Sequence, residues 1–207
     1  MNNFLLISNY LKKYKKLFSN EIFIPKQLLS ENRSSNSLNE KGALIQYECI
    51  INECGECQFS DSKSDFFFGY GDPNANLLIV DESPHYKNNF QGVPSIGKAG
   101  KLLDRILAAI GLNRTKDIFI VNILKCKPPK NRDPLPSEIA KYIPYLQQQI
   151  KIIQPKLILA LGKVAGKSLI ERDIPLKEMR NTTFDYNGIP LRITYHPESL
   201  LRNQNLK

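Results

Sequence analysis

The sequence predicts an α/β domain: a parallel central sheet of about four strands flanked by helices on both faces, with a short N-terminal helical extension. Short apolar runs at Leu77–Val80, Ile118–Leu124, Lys156–Leu161 and Ile189–Thr194 each have the length of a buried strand. The stretches between them carry the helical period. Lys98–Ile110, for example, has Leu102, Leu103, Ile106, Leu107 and Ile110 on one face. Strand and helix also alternate through short links, which forces parallel pairing and puts helices on both sides of the sheet.

Taken in order, residues 1–19 read as a short amphipathic helix and residues 28–40, rich in serine and asparagine, as a linker or mobile loop. Residues 1–40 therefore form an extension and residues 41–207 the domain. Residues 41–64 carry a cysteine cluster, and Phe66–Phe68 reads as a short strand before the turn Gly69–Asn76. Gly111 ends the Lys98–Ile110 helix. Pro128-Pro129 must stop the Ile118–Leu124 strand. Pro136 and Ser137 open a helix to about Ile153, which Pro144 should kink or interrupt. Lys163–Ile170 is the last helix before the final strand, and there is no internal repeat.

The 207-residue chain is 42% hydrophobic, enough for a core, and carries a net charge of +9. That charge favours a polyanionic partner, nucleic acid first; a lysine-rich background composition would give the same number. No run of about 18 apolar residues is present, which argues against a transmembrane helix. The N-terminal lysines follow the apolar segment, the reverse of a secretory signal. The expectation is a cytoplasmic, monomeric protein with no membrane partner.

Cys49, Cys54 and Cys57 form C-x4-C-x2-C, and Cys126 lies far along the chain. In a cytosolic protein this pattern favours metal or cluster ligation over disulfides. Four thiolates suit zinc or an iron–sulfur cluster, and with two histidines in the chain a Cys/His zinc site is disfavoured. The plain alternative is unrelated cysteines.

Three loops should converge at the carboxyl ends of the strands, where open α/β sheets hold their ligands. The first follows Leu77–Val80 and begins D-E-S-P-H. The second is N-I-L-K-C-K-P-P-K-N-R, starting at Asn122. The third is Y-H-P-E-S-L-L-R after the last strand. Asn122 offers donor and acceptor together and can read a flat heterocycle; alone, it is an asparagine ending a strand. His196, held by Pro197, is a positioned imidazole. Leu200 and Leu201 beside Arg202 could be two core leucines opening a helix, or an apolar wedge beside a cation, suited to a base stack and its phosphates.

Together these loops resemble the uracil-DNA glycosylase superfamily, specifically its family 4, the iron–sulfur type. The resemblance covers about residues 50–205 and rests on C-x2-C, G-Y-G-D-P-N-A-N, V-D-E-S-P, Q-G-V-P-S-I-G-K-A-G-K-L-L-D, N-I-L-K-C-K-P-P-K-N-R-D-P-L-P, Q-P-K-L-I-L-A-L-G and Y-H-P-E-S-L-L-R in that order. It implies an enzyme of base excision repair that flips deoxyuridine out of uracil-containing DNA and hydrolyses its N-glycosidic bond. Asn122 would read the uracil edge. His196 would donate to the developing oxyanion. Glu82 and its loop would hold the pocket and the attacking water. Leu200 or Leu201 would fill the vacated space, and Lys125, Lys127, Lys130, Arg132 and Arg202 would meet phosphates. A four-iron four-sulfur cluster is implied, with Cys54, Cys57 and Cys126 matching three of its ligands; Tyr142 stands where the family has its fourth cysteine, so either Cys49, outside the family pattern, completes the set or the cluster is absent or labile.

Several pocket positions depart from the family. Asp81, Ser83 and His85 replace glycines of the first motif, and Ser95 replaces a phenylalanine that stacks on the flipped base. Loss of stacking worth roughly 1–3 kcal/mol corresponds to about a 5- to 150-fold penalty. The alternatives are a relative that binds DNA without turnover, and a nucleic-acid-binding module whose cysteines are purely structural.

Overall fold

The structure, a computed structural model, describes residues 37–53, 66–84, 97–128 and 132–206. In chain order the elements are α1 (Ser37–Glu53), β1 (Tyr70–Gly71), β2 (Leu77–Asp81), α2 (Lys98–Ala109), β3 (Ile118–Asn122), α3 (Pro136–Ile153), β4 (Leu157–Leu161), α4 (Gly162–Ile170), α5 (Leu176–Asn181), β5 (Phe184–Tyr186), β6 (Ile189–Thr194) and α6 (Pro197–Arg202). A 3-10 turn, Gln204–Leu206, follows.

The strands form one sheet in the order β1-β3-β2-β4-β6-β5. The four inner strands pair in parallel, while β1 and β5 pair antiparallel to their neighbours. The expected parallel core is present. The two extra strands sit at the edges, where they are only two and three residues long. Such short strands do not show as apolar runs. Phe66–Phe68 is not a strand: Phe67 N–H donates to the Lys125 carbonyl at 2.8 Å, and the edge pairing falls to Tyr70–Gly71 instead.

β2 and β3 are buried at every position, as parallel strands covered on both faces must be. Alternate residues then go to opposite layers. Leu78, Val80, Phe119, Val121, Ile158, Ala160, Leu191 and Ile193 pack under α1, α3, α4 and α5. Leu77, Ile79, Ile118, Ile120 and Leu161 pack against Leu103 and Leu107 of α2. Gly166 lets α4 lie close on β6, since a Cβ there would sit 2.8 Å from Ile193 Cγ2.

α1 begins at Ser37, inside the stretch read as polar linker; residues 1–36, including the helix expected over 1–19, lie outside the described residues. α3 continues through Pro144 without a break. Pro144 is exposed, as is Ala140 one turn earlier, so the carbonyl that loses its donor faces solvent. No helix among the described residues is long and apolar enough to cross a membrane.

Candidate active site

β2 is flanked by β3 on one side and β4 on the other, so the chain reverses its winding direction there. A crevice opens at the carboxyl ends of the strands at such a switch point. Register brings Asp81 level with Asn122 and Leu161 level with Thr194. The ladder continues past the strands, with Ile123 N–H donating to the Asp81 carbonyl at 2.8 Å and Leu124 N–H to the Glu82 carbonyl at 3.0 Å. Asp81, Glu82, Asn122 and His196 thus gather on one edge of the sheet.

His196 caps the N-terminus of α6. Its Nδ1 accepts from the Glu198 backbone N–H at 3.1 Å, which puts the ring proton on Nε2. That nitrogen faces Asp81, 3.1 Å from Oδ1 and 3.3 Å from Oδ2. Asp81 Oδ1 also accepts from Glu82 N–H at 2.8 Å. Burial pulls the His196 pKa down, but the carboxylates of Asp81, Glu198 and Glu82 outweigh it and the net shift is upward. The Glu198 backbone N–H donated to Nδ1 opposes that shift because it favours the neutral ring, so the imidazole is held between two demands.

Gly162 makes this approach possible. It opens α4 at φ 88°, and a Cβ there would stand 3.3 Å from His196 Cβ. Sequence reading did not single it out; the signal was a glycine directly after a buried strand, where a side chain would block the neighbouring loop.

Glu82 is half-buried, and its pKa is pushed up to about 7, first by burial, then by the charges of Asp133, Asp81 and Glu198, against a lowering by His196. A carboxyl with that pKa can exchange a proton near neutrality.

Lys125 is placed otherwise than expected. It is fully buried, and burial lowers its pKa to about 7. Nζ donates to Gln149 Oε1 at 2.6 Å and to the Asn122 carbonyl at 3.0 Å, while Gln149 Nε2 donates to the Phe68 carbonyl at 2.8 Å. It cannot meet a phosphate without leaving the core; it braces the Asn122 loop from beneath. Gln149, also fully buried, was likewise missed, because a glutamine inside a helical pattern looks like a surface residue.

The other anticipated contacts divide. Arg132 is bound through both amino groups to Glu138, whose carboxyl it holds down to about 2. Glu138 in turn accepts from Leu135 N–H at 2.7 Å. Leu200 is 8% exposed and part of the core, whereas Leu201 is half-buried and Arg202 exposed. Lys127 and Ser83 are half-buried. His85, Ser95, Lys130, Cys54 and Cys57 lie outside the described residues.

Cys126 is fully buried and disulfide-bonded. Cys49 is free and exposed on α1. Tyr142 is buried beside Tyr145. Among the described residues no group of three or more metal-ligating side chains converges. The sulfur of Cys126, buried beside the end of β3, suits an iron–sulfur ligand set as a thiolate, that is, once its disulfide is reduced.

The description "Uracil DNA glycosylase superfamily" matches residues 68–207. That stretch is more than half of the chain and holds Asp81, Glu82, Asn122, Cys126 and His196, while Cys49, Cys54 and Cys57 precede it. The chain belongs to the uracil DNA glycosylase superfamily. Within it, the chain is similar to the type-4 uracil-DNA glycosylase of Archaeoglobus fulgidus, 41% identical over 117 residues, or 56% of this chain and 58% of that protein. It is 35% identical to the type-4 enzyme of Pyrobaculum aerophilum over 168 residues, 76% of this chain and 84% of that protein. It is 33% identical to that of Thermotoga maritima over 160 residues, 75% of this chain and 81% of that protein. On the carboxyl edge of this chain's sheet, the Asp81 carboxylate faces the His196 imidazole.

Proposed function

We propose that this chain is a DNA-repair uracil-DNA glycosylase that takes up a flipped deoxyuridine and hydrolyses its N-glycosidic bond. The observation that carries this reading is the gathering of Asp81, Glu82, Asn122 and His196 at the switch point of the sheet. The leaving uracil departs as an anion while the sugar becomes cationic. Asn122 reads the base edge, braced from behind by Lys125. His196 supplies the N–H for the oxyanion. Glu82, ionised above about pH 7, orients and deprotonates the attacking water. Ser83, His85 and Ser95 line the base pocket. Leu201, rather than the buried Leu200, fills the space left by the flipped nucleotide, and Lys127, Lys130 and Arg202 meet phosphates. The partner is uracil-containing DNA, the enzyme acts as a monomer, and it works in the cytoplasm.

Cys54, Cys57 and Cys126, with Cys49 as fourth thiolate, are the residues that hold a four-iron four-sulfur cluster in this reading. When bound, the cluster ties the cysteine-rich segment to the end of β3 and supplies no step of the hydrolysis. A cluster and a disulfide are alternative uses of the same thiols. Iron and sulfide content of anaerobically purified protein, with Cys49→Ala alongside, distinguishes them.

Release of free uracil from a single-uracil oligonucleotide tests the activity. Clear release that falls about 100- to 1,000-fold in His196→Ala supports it. A second reading, binding without turnover, is favoured by one observation: both ring nitrogens of His196 already have partners. It predicts a mobility shift of the DNA with steep salt dependence and no uracil released.

A further inference from the structure

We propose that Asp81 restrains His196: it holds the one N–H that a bound base needs, so the residue at position 81 sets how much of the imidazole is available to the leaving group. The inference rests on the glycosylase reading above. It starts from hydrogen-bond accounting. A neutral imidazole has one donor and one acceptor. The acceptor, Nδ1, is used by the Glu198 backbone N–H at 3.1 Å. The donor, Nε2–H, points between the two carboxylate oxygens of Asp81 at 3.1 and 3.3 Å. Nothing of the ring's hydrogen-bonding capacity is left for a ligand.

Asp81 is held in place. It is 5% exposed, it ends β2, and Oδ1 also accepts from Glu82 N–H at 2.8 Å. A base that takes the His196 hydrogen bond must therefore displace a charge-assisted one. The carboxylate also puts negative charge beside the place where the leaving base becomes an anion, so both effects act in the same direction. Among the described residues, the charged groups facing the ring are Asp81 and Glu82 from the end of β2 and Glu198 from α6, with Asp133 acting on Glu82. A glycine at position 81 would free the donor and remove the nearest of these charges. Asparagine would keep an acceptor oxygen and remove only the charge.

The test uses the full chain as wild type, Asp81→Gly and Asp81→Asn, with His196→Gln to assign the ring signals. Imidazole nitrogen and proton resonances report tautomer and titration; single-turnover uracil release reports chemistry. Wild type should show the Nε2–H tautomer with a strongly hydrogen-bonded proton. Asp81→Gly should lose that hydrogen bond, titrate at lower pH and release uracil roughly 10- to 150-fold faster, the scale of one charged hydrogen bond. Asp81→Asn should keep the tautomer and give a smaller gain. Ring signals identical in wild type and both variants overturn the pairing. Signals that move while release falls in both variants overturn the restraint and make Asp81 a positioning residue, with the activity standing. Signals that move as expected with no uracil released by any variant defeat the glycosylase reading itself, and the restraint on turnover with it.

Discussion

The ends of β3 and β6 lie on the same edge of one sheet and are built in opposite ways. At the end of β3, Asn122, Lys125 and Cys126 are buried, and Lys125, Gln149 and the Phe68 carbonyl form a closed chain of hydrogen bonds. At the end of β6, His196 meets Asp81, Glu82 and Glu198, and two of these groups are shifted toward or through neutrality. One side is fixed by satisfied polar contacts inside the core; the other is poised by unlike charges at its margin. The contrast fits a division of labour: recognition needs a rigid frame, and proton handling needs groups whose charge can change.

The largest expected effect separates the two sides by pH. Because Glu82 must be ionised to take a proton, uracil release should rise with pH through a midpoint near 7. Glu82→Gln should lower the rate about 100-fold or more and remove that limb, while a limb retained in Glu82→Gln would assign it to another group. Next in size, Gln149→Leu should destabilise the fold by about 2–4 kcal/mol in urea titrations, since it leaves the buried Lys125 amine with the Asn122 carbonyl alone and removes the donor to the Phe68 carbonyl. A loss below about 1 kcal/mol would mean the β3 side is not braced in this way.

Smaller per pH unit is the linkage of Lys125. Its folded pKa of about 7 lies below its ordinary 10.5, so between those values the unfolded chain binds more protons. Stability should then rise with pH across that window, by at most about 1.4 kcal/mol per unit, and Lys125→Met should flatten the rise. The smallest effect concerns DNA. Arg202→Ala should reduce the salt slope of binding by about one, whereas Arg132→Ala, removing a cation already committed to Glu138, should leave it unchanged. Equal losses would restore Arg132 as a phosphate contact.

The parallel core was legible because β2, β3 and β4 are short uniform apolar runs and α2 is a clean amphipathic repeat. β1 and β5 were not, since two- and three-residue edge strands draw their pairing from the neighbouring strand rather than from their own side chains. Pro144 does not interrupt its helix, because its cost depends on whether the carbonyl one turn back is wet, which spacing does not show. At the site, Asp81, Glu82, Asn122 and His196 could be read from motifs that end strands. Lys125 could not: a lysine in a basic loop looks like a phosphate ligand until the fold reveals Gln149 beneath it. The Asp81–His196 contact spans three strands, and only the strand order discloses it.

Gly162 also bears on how this protein can be engineered. Replacing glycines with alanine is a common route to thermostability, because it narrows the unfolded ensemble. Position 162 should be left out of any such library. There the left-handed backbone would strain an alanine, and its methyl group would press on the His196 side chain, so heat tolerance and catalysis would be lost together. Gly42, inside α1 with open space where its Cβ would go, is the better place to begin. At that position an alanine should gain about 0.5–1 kcal/mol without touching the sheet edge.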